Sequence, residues 1–411
     1  MKGNIYYLLM LRGVSQFGSS MYEIVLPLLV LELTGSLTNV GLFYSVIKLP
    51  SILLLPFLGA FVERHSRKKI LFFCNLFTFI IFSLQFLLFK TDYIIIEALA
   101  LLGIGMNISY SISDIASRVI FTEIVPNNQL EKYNGTKSIV DNGAIFMAPM
   151  LATFIYGIVG IEIVLAIILI LYGIAAIGIR RLHYQSLVSN NKKLANVLSE
   201  IKEGFQFVKI QKAILAFFIL AMTLNFFVAS TEEIINPGIL ITKYQIPRRY
   251  FGFSSTFNII GVILAGIFIV RNHKMNYQKN LNKLFVANSL VMITIGALSL
   301  LLYGFPKYIY YGLFLFLQIL LGFFTIIINV PLTSYFQANV PVDYQGRFFA
   351  FFSFAANLSI PFGISYSGFV ASHLGADITY IFNNVCVIII VVVTYRIFDV
   401  IGSKRKTGKE K

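Results

Sequence analysis

Gly59-Ala-Phe-Val-Glu63-Arg64-His65-Ser66-Arg67-Lys68-Lys69-Ile70-Leu71 is a dense basic cluster caught between two long apolar runs. A largely apolar stretch from Asn39 leads into it, and LFFCNLFTFIIFSLQFLLF follows it. At ~1.5 Å of helical rise per residue, each run can cross a ~30 Å hydrocarbon core. The cluster therefore reads as a short loop between two membrane helices. Short loops rich in Lys and Arg are retained in the cytoplasm, so Arg64, Arg67, Lys68 and Lys69 are expected to orient the whole chain.

Composition agrees with that reading. Of 411 residues, 57% are hydrophobic and 12% charged, and the mean hydropathy is +0.81. A soluble domain carries about a quarter charged residues, so the expectation is an all-α polytopic membrane protein. The net charge of +15 does not argue for nucleic acid, because the Lys and Arg residues gather in predicted cytoplasmic loops and tail, where anionic lipid is the natural partner. The first span starts within a few residues of Met1 with no small-residue cleavage site, so it is expected to remain as an anchor. Cys74 and Cys386 are isolated within spans, and His65, His183, His273 and His373 are scattered singly, so no metal or other cofactor is expected. The tail GSKRKTGKE has the wrong spacing and the wrong last residue for a phosphate-binding loop. An enzyme is not expected, and ATP is not implied.

Twelve spans are predicted, near 5–33, 39–61, 70–89, 93–121, 137–158, 162–180, 213–238, 250–270, 283–303, 308–332, 345–370 and 377–400. Basic loops alternate with neutral ones and place both termini in the cytoplasm, although Lys243, Arg248 and Arg249 fall in a predicted external loop. The longest polar break divides the chain into a six-helix bundle at 1–180, a cytoplasmic linker at 181–212, a second bundle at 213–400 and a basic tail at 401–411. Within the linker, Leu194, Val197, Leu198, Ile201, Phe205 and Val208 recur at helical spacing among charges. This pattern fits an amphipathic helix on the membrane surface or a solvated tether.

The halves repeat each other. Glu23-Ile-Val-Leu-Pro27 returns as Glu233-Ile-Ile-Asn-Pro237, Val125-Pro126 as Val340-Pro341, and Gly160 as Gly375. Matches in the same order across corresponding spans support a duplicated, pseudo-symmetric six-plus-six arrangement. On these residues the chain resembles the major facilitator superfamily. Gly59-x-x-x-Glu63-Arg64-x-Ser66-Arg67-Lys68 is similar to that family's loop pattern G-x-x-x-D-R-x-G-R-K/R, with Glu63 in place of Asp and Ser66 in place of the second Gly. LPLLVLELTGS, EIVPNNQLEKYNG and SEIKEGFQFVK narrow the resemblance to the macrolide-efflux-type exporters. The resemblance implies that spans one, four, seven and ten line a central cavity. It also implies that Gly59, Glu63, Arg64, Arg67 and Lys68, with Asp114 and Arg118 as local partners, form a conformational latch.

Ionisable residues within spans are functional candidates, because burying a charge there costs several kcal/mol. Glu23 leads. Arg12, eleven residues earlier, shares nearly its helical face with Ser15, Ser19 and Tyr22. Glu232 and Glu233 stand at the matching depth of span seven, and all three acids could load and release a proton as a cavity changes sides. A cationic substrate could use the same acids. Lys48, halfway through span two, lacks a counterpart in the resemblance and would be rationalised by a partner such as Glu23. Arg12, Ser19, Tyr22, Asn107, Asn225, Gln318 and Asn329 are the candidate cavity residues, polar groups among the apolar walls that suit an amphipathic ligand. The expected function is proton-driven export of a small amphipathic compound by a plasma-membrane monomer, and the richness in Ile, Lys, Asn and Phe points to an AT-rich bacterial genome. The alternatives are uptake by symport and a receptor or lipid-handling protein.

Overall fold

The computed structural model describes residues 2–91, 95–126, 130–184, 212–272, 280–340 and 342–398. Within them the chain forms twelve long helical spans: α1 (Lys2–Thr34), α2 (Leu37–Arg64), α3 (Arg67–Lys90), α4 (Ile96–Ile124), α5 (Leu130–Val159), α6 (Ile161–Arg181), α7 (beginning Lys212–Phe227), α8 (Phe253–Arg271), α9 (Leu281–Leu301), α10 (Lys307–Asn339), α11 (Val342–Leu374) and α12 (Ala376–Phe398). Eleven stretches among the described residues are long and apolar enough to cross a membrane. The linker pattern at 194–208 and the basic tail at 401–411 lie outside the described residues.

Local sequence explains the turns. Ser36 caps α2 by accepting the Asn39 backbone N–H at 3.4 Å, immediately after Gly35 at φ +63°. Gly160 and Gly375, the pair that repeats in the sequence, both adopt the left-handed region, at φ +85° and +92°, and separate α5 from α6 and α11 from α12. Span seven departs most from a simple helix. After a turn at 228–230 it continues as two π-helical stretches, Thr231–Ile235 and Gly238–Lys243, with Pro237 between them. Pro237 has no N–H to donate and crowds the carbonyl four residues back, which is that of Glu233. Such widened turns concentrate at functional sites.

The apolar core has three parts. One contains only first-half residues, including Ile5, Leu8, Ile70, Ile120 and Leu182, at the end that carries the N-terminus and the loop at 65–66. A second contains only second-half residues, including Ile214, Phe285, Phe348 and Val387. The third is at the opposite end of the bundle and draws on both halves, with Val25, Tyr44, Leu165, Ile234, Phe251 and Ile364 in one cluster. The halves thus share a core at this distal end and keep separate cores at the basic end.

Candidate functional site

The distal contact is made by small residues. A Cβ at Gly41 in α2 would fall 2.8 Å from the Ile364 carbonyl of α11, and one at Gly252, at the start of α8, would fall 2.3 Å from the Pro149 carbonyl of α5. Close backbone approach leaves room only for hydroxyls between the helices. Thr38 donates its backbone N–H to Ser372 Oγ at 2.9 Å, Ser365 Oγ donates to Ser45 Oγ at 2.7 Å, and Gly252 donates to Thr153 Oγ1 at 3.0 Å. One ion pair crosses here as well. Arg248 lies 2.8 Å from Glu32, which also accepts the Tyr156 hydroxyl. Lys243 is bound to Asp377 and to the Ser299 carbonyl. Two of the three basic residues that look misplaced in the sequence, Lys243 and Arg248, therefore have acid partners at this face, and Arg249 lies over the Tyr250 ring, 4.9 Å from its centre.

One turn of α2 beyond Ser45, on the side where the halves diverge, Lys48 holds the two repeated glutamates together. Its Nζ lies 3.3 Å from Glu23 Oε1 on α1 and 3.2 Å from Glu233 Oε1 on the π-helical stretch of span seven. The ammonium also sits 5.3 Å from the centre of the Tyr44 ring. Glu233 and Lys48 are largely buried, whereas the Glu23 side chain is 63% exposed. The Glu-x-x-x-Pro repeat shapes this bridge. Pro27 frees the Glu23 carbonyl of its usual helical donor, and the Tyr44 hydroxyl takes it at 3.0 Å. Glu232 is turned elsewhere: its Oε1 accepts from Asn236 at 3.2 Å, and Oε2 is buried with no partner among the described residues.

Arg12 does not join Glu23. Eleven residues restore the angle around a helix but separate the side chains by ~16 Å along it. Instead Arg12 grips Asp141 of α5 through two hydrogen bonds, at 2.8 and 3.1 Å, and lies 3.0 Å from Asp114 of α4. Arg118 and Lys137 complete the network on Asp114 and Asp141, at 2.9 and 3.1 Å. Asp141 and Lys137 were missed in the sequence, although a Lys-x-x-x-Asp pair inside a predicted span is the same signal that singled out Asp114 and Arg118.

The remaining candidates scatter. Tyr22 is buried in the core that the two halves share, edge-on to Phe82 and accepting from Gln85 at 2.9 Å, so it does not line a cavity. Ser19 bonds Tyr172. Asn107 and Asn225 each donate to the carbonyl one turn back in their own helices, at 2.9 and 3.0 Å. Gln318 is buried at the contact between α10 and α8, where its backbone carbonyl faces Asn258, and Asn329 is exposed. In the loop motif, Gly59 has open space around it. Arg67 is buried and pairs with Glu123 at 3.2 Å, and Lys68 donates to the Arg180 carbonyl at 3.0 Å. Those two anchors lie within the first six helices. Arg64 ends α2, and the Glu63 side chain lies outside what is described.

Twelve spans in two pseudo-symmetric halves, joined at one end and bridged by charge in the middle, are the architecture of a secondary transporter. The profile of the Major Facilitator Superfamily matches residues 8–364, and the chain belongs to that family. It is 23% identical over 392 residues to the macrolide efflux protein A of Streptococcus pyogenes, covering 93% of each chain. Among solved structures it resembles the nucleoside transporter NupG, with a TM-score of 0.77 at 14% identity, covering 96% of this chain and 99% of that one. It also resembles a bacterial homologue of the iron transporter ferroportin in an inward-facing state, with a TM-score of 0.68 at 15% identity, covering 98% and 100%.

Proposed function

We propose that this protein exports a small amphipathic compound, drug-like or macrolide-like, by alternating access coupled to inward proton flow. The observation that carries the reading is Lys48 held between Glu23 of one half and Glu233 of the other, directly beneath the distal contact. A group bonded to both halves is rearranged whenever they rock, so its affinity for a proton changes with the state of the transporter. Similarity to proteins named for macrolide efflux supports export as the direction.

Reading the basic end as cytoplasmic follows from retention of Lys and Arg, and the partnered distal cations do not oppose it. The arrangement is then closed outside and open inside, the state that receives a compound from the cytoplasm. The linker at 181–212 would couple the two bundles on that side, and the loop at Gly59, Glu63 and Arg64 would re-form its latch when the inner end closes. The test uses proteoliposomes with an acidic interior. Inside-out protein is expected to accumulate a macrolide while the gradient lasts and to lose that ability in Glu233→Gln. Accumulation independent of the gradient, or unchanged in the variant, contradicts proton antiport.

A further inference from the structure

The second half carries a set of buried oxygens that the bridge does not use. The offset between Glu23 and Glu233 (233 − 23 = 210) sets Thr231, Glu232 and Asn236 opposite Met21, Tyr22 and Leu26. The offset between Gly160 and Gly375 (375 − 160 = 215) sets Tyr380 and Asn383 of α12 opposite Leu165 and Ile168 of α6. The first half fills these positions with core residues. The fold therefore packs here without a carboxylate or an amide, and their presence in the second half calls for a reason.

These oxygens converge. In the π-helical stretch the Asn236 N–H donates to the Thr231 carbonyl, which stacks Asn236 over Thr231 and Glu232. The Tyr380 hydroxyl faces Glu232 and Thr231. One turn further along α12, Asn383 anchors the start of the stretch, donating to the Phe227 carbonyl and to Ser367 Oγ, each at 3.1 Å, and Ser367 Oγ also accepts from Ser230 at 2.7 Å. Thr231 Oγ1, Glu232 Oε2, Asn236 Oδ1 and Tyr380 Oη are buried with no partner among the described residues. The carboxylate and amide oxygens can only accept.

Charge points the same way. Glu23, Glu232 and Glu233 set three carboxylates beside the single ammonium of Lys48, which answers the buried Glu233, while Glu23 is exposed. Glu232 has only the neutral Asn236 amide. An unanswered carboxylate at this depth is costly. A proton would answer one oxygen, whereas a hard cation takes several oxygen ligands at once, and one carboxylate matches a single positive charge. We propose that Thr231, Glu232, Asn236 and Tyr380 form a site for a hard monovalent cation, sodium in the first place, that pins the π-helical stretch of span seven to α12.

The test is binding of radioactive sodium to the purified full chain in detergent, with choline holding the ionic strength, alongside thermal unfolding. Binding is expected to saturate, and sodium to raise the unfolding midpoint by roughly 3 °C over choline. Glu232→Gln should abolish both signals, and Glu23→Gln should keep them. Thr231→Val and Tyr380→Phe each remove one oxygen at nearly constant shape and should weaken sodium binding by about tenfold. No saturable binding by the wild type, or binding retained in a folded Glu232→Gln protein, overturns the proposal. Calcium binding more tightly than sodium overturns the monovalent assignment. Should Glu232→Gln not fold, the two single-oxygen variants decide: unchanged sodium affinity in both overturns the site. The site does not rest on the export reading, and sodium binding is read without transport, so failure of proton coupling and failure of this site are separate results.

Discussion

The two ends of the molecule use opposite chemistry. At the distal end the contacts cross between the halves and are made by Gly41, Gly252 and small hydroxyls, with one ion pair, Arg248 to Glu32. At the basic end the described charge network is dense, but Arg12, Asp114, Arg118, Lys137 and Asp141, like Arg67 and Glu123, belong to the first six helices. Charge at one end consolidates a half, whereas close backbone packing at the other joins the halves. A contact that must open and close benefits from weak, reversible hydroxyl bonds, and a rigid rocking body benefits from ion pairs that stay made.

That contrast can be broken from either side. The largest effect is expected from Arg12→Ala, which removes the cation shared by two largely buried carboxylates and leaves Asp114 only Arg118 and Asp141 only Lys137; it should lower stability by about 3 kcal/mol in thermal unfolding. Accessibility of the distal face should not change. Gly252→Leu should do the reverse. Its side chain cannot fit against Pro149, and the strain of about 2 kcal/mol falls on the joint between halves, so spin labels on the distal ends of α5 and α8 should move apart. Glu32→Gln removes the charge that holds Arg248, and a partly exposed pair of this kind is worth about 1 kcal/mol or less. It should raise labelling of a distal cysteine by a few fold and leave unfolding almost unaltered.

Much of the architecture is legible in the sequence because apolar runs and loop charge report directly on a bilayer. The repeat is legible too, and the matched Glu23 and Glu233 do meet through Lys48. The particular partners are harder to read. Helical angle grouped Arg12 and Tyr22 with Glu23, but the angle ignores axial distance for Arg12, and Tyr22 turns into the core beside Phe82. The π-helical stretch that carries Glu233 has one local signal, Pro237, and a proline alone does not distinguish a kink from a widened turn. Inter-half contacts such as Gly41 with Ile364 depend on which helices face each other, information that no single segment contains.

The central claim is that the bridge between the halves couples a proton to the substrate. Its most direct measurement is proton release when a macrolide is added to the purified protein in weakly buffered, mildly acidic detergent solution containing a pH indicator. The account predicts acidification that saturates with binding and disappears in the Glu23→Gln, Glu233→Gln variant. Tight binding with no proton released by the wild type at any pH would contradict it.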